Sequence, residues 1–83
     1  MKLIELNSKP VEYLGFTLQV PNWTKAIAVD SCGTCYAYNA KPRAVNDGNF
    51  WGAAKTNWHS KCEKIAKFDL EGIYWKQTLV EVK

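Results

Sequence analysis

The stretch "AIAVDSCGTCYAY", residues 26–38, decides the fold. Small and large apolar side chains alternate over 26–29, and small and aromatic side chains alternate over 35–38, which is typical of two β-strands. Between the two strands, Asp30 and Gly33 hold the first and fourth positions of a type I turn. A glycine with left-handed backbone at the fourth position makes the bulge of a common hairpin. We therefore predict an antiparallel hairpin over residues 25–40, with the Asp30 carboxylate capping the amides of its own turn.

Two further strand patterns precede this hairpin. Residues 3–6 form a short apolar run that ends in turn-forming residues. Phe16, Leu18 and Val20 alternate with polar residues until Pro21, which indicates a half-buried strand. The N-terminal part of the chain is therefore predicted to be β-structure.

The segments after the hairpin are predicted as a loop, a strand and a helical turn. Residues 41–60 form the variable loop, with "NDGN" (46–49) at its tip, and the strand follows over about 61–70. The apolar residues over 51–65 also fall at helical spacing, so a helix over 50–62 stays as the alternative to the loop. The apolar spacing of 75–82 indicates a short amphipathic helical turn. The sequence thus predicts one domain of 83 residues, mainly β or small α+β. Its predicted architecture is a single antiparallel sheet of about four to five short strands with a C-terminal helical turn.

The composition fits a small domain rich in aromatic residues. Four Trp, four Tyr and three Phe in 83 residues supply the large side chains that so short a chain needs for a core. No apolar run approaches the roughly 20 residues of a membrane span, and the N-terminal run lacks the form of a signal peptide. Three cysteines, an odd number, argue against a secreted disulfide framework. We therefore expect a cytoplasmic protein with no membrane partner.

The middle of the chain is basic and carries interleaved aromatic residues. Residues 31–67 hold six Lys or Arg against two Asp or Glu, which gives +4 in a chain whose total is +3. One interpretation is a protein interface on the loop, formed by Arg43, Phe50, Trp51, Lys55, Trp58 and Lys61. A second is a nucleic-acid module, with Lys55, Lys61, Lys64 and Lys67 on phosphates and a Trp stacked on bases. A third is that the two Trp complete a thin core and the lysines form a solvated face.

Four residues match a structural zinc site in the number of ligands and in their soft sulfur and nitrogen donors: Cys32, Cys35, His59 and Cys62. Against this, Cys32 is the third residue of the predicted turn, and Cys35 fills the role of a small apolar strand residue. A thioredoxin-like redox pair is disfavoured because no βαβ unit is visible. We therefore predict no cofactor, and a zinc-stapled module stays as the alternative.

Nothing in the sequence assembles a catalytic site. His59 is the only histidine, and it lies three residues before Cys62, on the opposite face if the segment is a strand. No glycine-rich loop of the kind that cradles phosphates is present in the sequence. The protein is therefore predicted not to be an enzyme.

The segment "LQVPNWTKAIAVDSCGTCYAYNAKP" (18–42) and the closing "YWKQTLVEV" (74–82) resemble a group of small proteins of tailed bacteriophages. The shared pattern is V-P-x-W, I-A-x-D-x-x-G-x-x-Y-A-(F/Y), K-P and W-x-x-(S/T)-L. The matching positions are Val20, Pro21, Trp23, Ile27, Ala28, Asp30, Gly33, Tyr36, Ala37, Tyr38, Lys41, Pro42, Trp75, Thr78 and Leu79. The resemblance covers a little under half of the chain and includes no enzymatic motif.

This resemblance implies a β-rich accessory protein that acts in the host bacterial cytoplasm by binding and occlusion. Such proteins commonly inhibit or redirect a host enzyme, a nuclease or a defence complex. In the family pattern, an acidic or amide residue and an aliphatic residue stand at the positions of Cys32 and Cys35. The resemblance therefore favours a non-catalytic binder of a host protein whose fold does not depend on zinc.

Overall fold

The computed structural model describes residues 1–3, 6–52 and 60–82. Over these ranges the chain forms eight strands: β1 (Ser8–Tyr13), β2 (Phe16–Pro21), β3 (Ala26–Val29), β4 (Thr34–Tyr38), β5 (Arg43–Val45), β6 (Phe50–Gly52), β7 (Cys62–Lys67) and β8 (Val80–Glu81). A single turn of 3-10 helix, Trp75–Gln77, precedes β8. The predicted mainly-β class and the C-terminal helical turn are confirmed.

The described strands divide among three antiparallel sheets rather than the one sheet that we predicted. A central sheet has the order β7-β4-β3-β8, while β1–β2 and β5–β6 are separate two-stranded hairpins. One hairpin covers each face of the central sheet, because both faces of β3 and β4 are apolar and need a covering layer. The architecture is therefore hairpin, sheet, hairpin.

The predicted 25–40 hairpin forms the centre of the molecule. β3 and β4 pair antiparallel from Ala26 opposite Tyr38 to Val29 opposite Cys35. All four residues of β3 are buried, and the small and large side chains point to opposite faces. The alternation read from the sequence therefore corresponds to two different cores.

The first core, between the central sheet and the β1–β2 hairpin, is mostly aliphatic. Its buried members are Tyr13, Val20, Ile27, Val29, Cys35 and Ala37. The second core lies on the other face and is mostly aromatic, with Ala26, Ala28, Tyr38, Trp51 and Trp75 buried. The edge-to-face contact of Trp51 with Trp75, at 5.5 Å between ring centroids, is the geometry that aromatic pairs prefer.

Thr78 joins the C-terminal segment to β3 where backbone pairing with β8 stops. The Val29 amide donates to the Thr78 hydroxyl oxygen at 2.9 Å, and that hydroxyl lies 3.1 Å from the Val29 carbonyl and 2.6 Å from the Trp75 carbonyl. The Tyr13 hydroxyl donates to the Thr78 carbonyl at 2.6 Å. One buried threonine thus connects β3, the 3-10 helix and the β1–β2 hairpin.

Several predicted bounds are corrected at the ends of the chain. Leu3 and Leu6 are exposed and lie outside any strand, because β1 begins only at Ser8; Ile4, which we assigned to the same strand, lies outside the described residues. Near the C-terminus the helical turn ends at Gln77, because residues 80–81 leave it to pair with β3.

The loop predicted over 41–60 contains β5 and β6, which pair around the four residues of the predicted "NDGN" tip. The predicted strand over about 61–70 is shorter, Cys62–Lys67. Within the described ranges, no helix is long and apolar enough to cross a membrane.

Candidate functional site

The turn of the central hairpin has the predicted form. The Gly33 amide donates to the Asp30 carbonyl at 2.8 Å, and the Asp30 amide donates to the Thr34 carbonyl at 2.9 Å. Gly33 has a φ of +92°, and a Cβ placed there would collide with the Phe68 carbonyl oxygen. The Phe68 amide also donates to the Gly33 carbonyl at 2.7 Å, so the glycine joins the turn to the segment after β7.

The Asp30 side chain does a different task from the predicted one. Its carboxylate accepts a hydrogen bond from the Trp51 amide at 2.8 Å, rather than from the amides of its own turn, and this bond holds β6 against the central hairpin. Burial raises the pKa of the Asp30 carboxyl, and the Trp51 hydrogen bond opposes part of that rise. Asp30 is therefore a structural link between two hairpins.

Trp51 belongs to the core and is not a contact anchor. It is 8% exposed, and its indole N–H donates to the Val29 carbonyl at 3.1 Å. Of the interpretations that the sequence left open, the structure supports the one in which this tryptophan completes the core. The predicted binding role of Trp51 is corrected accordingly, because a partner cannot reach a ring buried against Trp75.

The other residues of the predicted loop interface have separate outcomes. Arg43, Phe50 and Lys61 are exposed, Phe50 to 41%. Lys55, Trp58 and His59 lie outside the described residues.

The three cysteines do not face one another. Cys35 lies in the first core, whereas Cys62 pairs across the strands with Tyr38, whose ring lies in the second core. Burial and the nearby Asp30 carboxylate raise the pKa of the Cys35 thiol to about 12, whereas zinc requires a thiolate. Among the described residues no group of three metal-ligating side chains is found, and the fourth predicted ligand, His59, lies outside them.

The remaining cysteine, Cys32, is exposed on the turn. Its sulfur lies 3.2 Å from the Thr34 hydroxyl oxygen, and this hydrogen bond lowers the pKa of the Cys32 thiol. The predicted place of Cys32 in the turn is confirmed, and its sulfur has a local partner.

A second group of exposed apolar residues lies where the β1–β2 turn meets the segment after β7. We call it the apolar end surface and define it by Leu14, Phe16, Phe68, Leu70 and Ile73. Leu14 is 53% exposed, Phe16 55% and Ile73 56%. The Phe16 ring packs edge-on against Phe68 at 5.2 Å between centroids. The surface is therefore a continuous arrangement around an aromatic pair.

A cleft of about 180 Å³ opens within the apolar end surface. Its floor includes Tyr13, Val29 and Thr78 from the first core, and its walls are the five residues of the surface with Asp69 and Glu71. The polar groups of the floor are already used, since the Tyr13 hydroxyl donates to the Thr78 carbonyl. The cleft is therefore mainly apolar, and two exposed acidic residues, Asp69 and Glu71, are among those that line it.

Leu14 and Glu71, which line this cleft, each lie in a tight turn with left-handed backbone. Leu14 and Gly15 have φ values of +47° and +88°, and Glu71 and Gly72 have +49° and +88°, as in type I′ turns. Asn, Asp and Gly suit these positions, whereas a leucine there costs conformational energy. Fold stability alone therefore does not explain why position 14 carries a leucine.

The sequence interpretation missed this surface because alternation over 16–20 predicted that Phe16 would be buried with Leu18 and Val20. Burial instead falls along β2 from Val20, which is fully buried, to Phe16 at the exposed end. The available signal was local: Leu-Gly at 14–15 places an apolar residue where a hairpin turn normally carries a polar one.

A second exposed feature is the basic edge strand β7. Ile65 is an extra residue in the pairing with β4, so that Lys64 lies opposite Tyr36 and Lys67 opposite Thr34. Because Thr34 and Tyr36 share a face of β4, both lysines lie on that face. Lys61, Lys64 and Lys67 are all exposed.

Comparisons with known protein families, with curated proteins and with solved structures found no match to the chain.

Proposed function

We propose that the protein is a small phage-type accessory protein that acts in the host bacterial cytoplasm, where it binds a host protein and inhibits or redirects it without catalysis. The apolar end surface is the binding site. The observation that carries the proposal is the exposure of Leu14, Phe16 and Ile73, each more than half accessible, around one cleft.

Contiguous apolar patches on small proteins commonly mark interaction sites. Aromatic side chains next to a desolvated pocket are typical of the few residues that carry most binding energy. The left-handed Leu14 adds support, because strained residues persist where function requires them. These features favour a protein partner, and they favour the apolar end surface over the loop interface predicted from sequence as the place where it binds.

The test is capture from a bacterial lysate with three forms of the protein: wild type, Phe16→Ala and Phe50→Ala. Phe50 is the matched control, since it is also an exposed phenylalanine but belongs to the loop interface. We expect a host protein to be retained by wild type and Phe50→Ala, and to be lost with Phe16→Ala. Addition of wild-type protein should then inhibit the captured protein's activity.

Three results would overturn the proposal. They are capture that survives Phe16→Ala, capture that is lost only with Phe50→Ala, and a captured protein whose activity or partners do not change. Circular dichroism of each variant is the control for folding. We expect it to be unchanged for Phe16→Ala, because Phe16 is exposed and is a member of neither core.

The basic strand β7 favours a second candidate function, nucleic-acid binding. Lys61, Lys64 and Lys67 would contact phosphates, with Tyr36 beside them for stacking. Salt separates the two functions, because binding through phosphates weakens steeply as salt rises, whereas an apolar interface changes little. Binding to a single-stranded oligonucleotide that falls with salt and with Lys64→Gln/Lys67→Gln would favour this second function.

A further inference from the structure

The cleft in the apolar end surface has the size of one large side chain. Its volume is about 180 Å³. An engineered apolar cavity of about 150 Å³ is known to take up benzene. Since the walls are Leu14, Phe16, Phe68, Leu70 and Ile73, the group that fits is a phenyl ring or an aliphatic side chain of similar size.

The charge around the cleft is opposite in sign to that of the chain. The two segments that build it, 11–18 and 68–74, contain Glu12, Asp69 and Glu71 and no Lys or Arg. The chain as a whole carries +3. Asp69 and Glu71 line the cleft itself, so a cationic group held there meets two carboxylates.

This charge pattern argues against two other occupants. In a two-fold symmetric dimer the same patch meets itself, which would bring the acidic residues of two copies together. A nucleic acid would bring phosphates to the same carboxylates. A protein segment with an apolar side chain and a neighbouring Lys or Arg has neither difficulty.

We infer that the cleft binds one aromatic or large aliphatic side chain of the partner protein, flanked by a cationic residue that pairs with Asp69 and Glu71. This inference rests on the proposed function and names the chemistry of its partner. Phe16 and Phe68 contact the inserted side chain, and the two carboxylates select for its basic neighbour.

The experiment titrates three small probes that share a phenyl ring and differ in charge: phenethylamine, 2-phenylethanol and 3-phenylpropionate. Amide chemical shifts of the full-length protein report the site, with Leu14 and Ile73 lining the cleft and Gly52 in β6 as the remote reference. We expect shifts at Leu14 and Ile73. Phenethylamine should bind roughly two- to fivefold more tightly than 2-phenylethanol at low salt, and 3-phenylpropionate should bind most weakly.

Two double variants isolate the charge effect. The variant Asp69→Asn/Glu71→Gln keeps a side-chain oxygen at position 69 that can accept the hydrogen bond from the residue 71 amide, which is 3.0 Å in the wild type. Because this variant removes both charges, it should make the affinities of the three probes equal within roughly twofold. Asp47→Asn/Glu81→Gln removes two exposed carboxylates elsewhere and should leave the order of the probes unchanged.

Equal binding of the three probes to wild type, tighter binding of the anion, or shifts confined to Gly52 would overturn the inference. The proposed function fails by a different result, which is lysate capture that does not depend on Phe16. If capture depends on Phe16 but the probes do not discriminate by charge, the function stands and the inferred partner chemistry is wrong. The test therefore separates the two failures.

Discussion

The β3–β4 turn and the β1–β2 turn both place a residue in the left-handed region, and they differ in what surrounds that residue. Gly33, in the turn between β3 and β4, is buried against the Phe68 backbone. Leu14, in the turn between β1 and β2, is half exposed and has a side chain that this backbone conformation disfavours. Packing requires glycine in the β3–β4 turn, whereas it does not require leucine in the β1–β2 turn.

The difference separates a turn that determines the fold from a turn that presents a surface. At Gly33 both the backbone angle and the available space exclude any other residue. At Leu14 the fold would accept Asn or Gly, and the apolar side chain lies instead at a cleft. Substitutions at and around these turns can test the distinction.

The largest effect is expected for Gly33→Ala. The new Cβ would be strained by the positive φ and would collide with the Phe68 carbonyl, so we expect a loss of about 3–5 kcal/mol in the free energy of unfolding. Gly15→Ala is the matched control, because its φ is +88° but no atom lies within 4 Å of the added Cβ. That control should lose only about 1 kcal/mol by urea denaturation. Equal losses for the two variants would remove the distinction between the turns.

Thr78→Val should have the next largest effect, since it removes the hydroxyl that anchors the buried hairpin. The Val29 amide would lose its acceptor inside the first core, which predicts a loss of about 2–3 kcal/mol. Thr78→Ser keeps the hydroxyl and removes one methyl group, so it should cost only about 1 kcal/mol. If the serine variant is as unstable as the valine variant in the same denaturation assay, packing rather than the hydrogen bond is responsible.

Leu14→Asn should change stability little and binding strongly. Asparagine tolerates the left-handed backbone better than leucine, and this gain offsets the lost apolar contact, so we expect the free energy of unfolding to stay within about 1 kcal/mol of wild type. Partner capture should weaken by roughly tenfold if Leu14 is a contact of the binding surface. A large loss of stability would show that this turn, too, is dictated by the fold.

The smallest effect is expected for Asp30→Asn, and it depends on pH. Burial raises the folded-state pKa of this carboxyl, so its contribution to stability is present below the unfolded pKa and is lost as pH rises through the folded pKa. Asparagine keeps an oxygen for the Trp51 amide and does not ionise. Urea denaturation from about pH 3 to pH 7 should therefore show wild type losing stability relative to the variant as pH rises. A difference that is constant or changes in the opposite direction would contradict the assignment.

The parts of the fold that were predictable from sequence are those with enough residues for a pattern. β3 and β4 alternate over four and five residues, and their turn residues agree with the alternation. β5 and β6 have three residues each, which is too few for alternation to be recognised, and Pro42 in front of them indicates a loop. Short strands are stabilised by the surface on which they pack, and a sequence pattern does not report that surface.

The candidate site was the less predictable part, for a related reason. Aromatic residues indicate both cores and interfaces, and only the tertiary arrangement separates Trp51, which is buried, from Phe16, which is exposed. Alternation places Phe16 on the inner face of its strand. The inner face of β2 is covered only over part of its length. How far the cover extends depends on how the β1–β2 hairpin lies on the central sheet, which is set by contacts between residues distant in sequence.

The link between Tyr13 and Thr78 has a consequence for the order of folding events. These residues are 65 positions apart, and Val29 and Thr78 are 49 apart, so the contacts that close the first core are strongly non-local. A local hairpin such as β3–β4 forms within about 1–10 μs, whereas topologies that depend on distant pairs fold far more slowly. On a ribosome, Val29 would lack its buried hydroxyl partner until residue 78 had emerged. We therefore expect the nascent chain to complete its first core only after residue 78 has emerged, even though its central hairpin forms early.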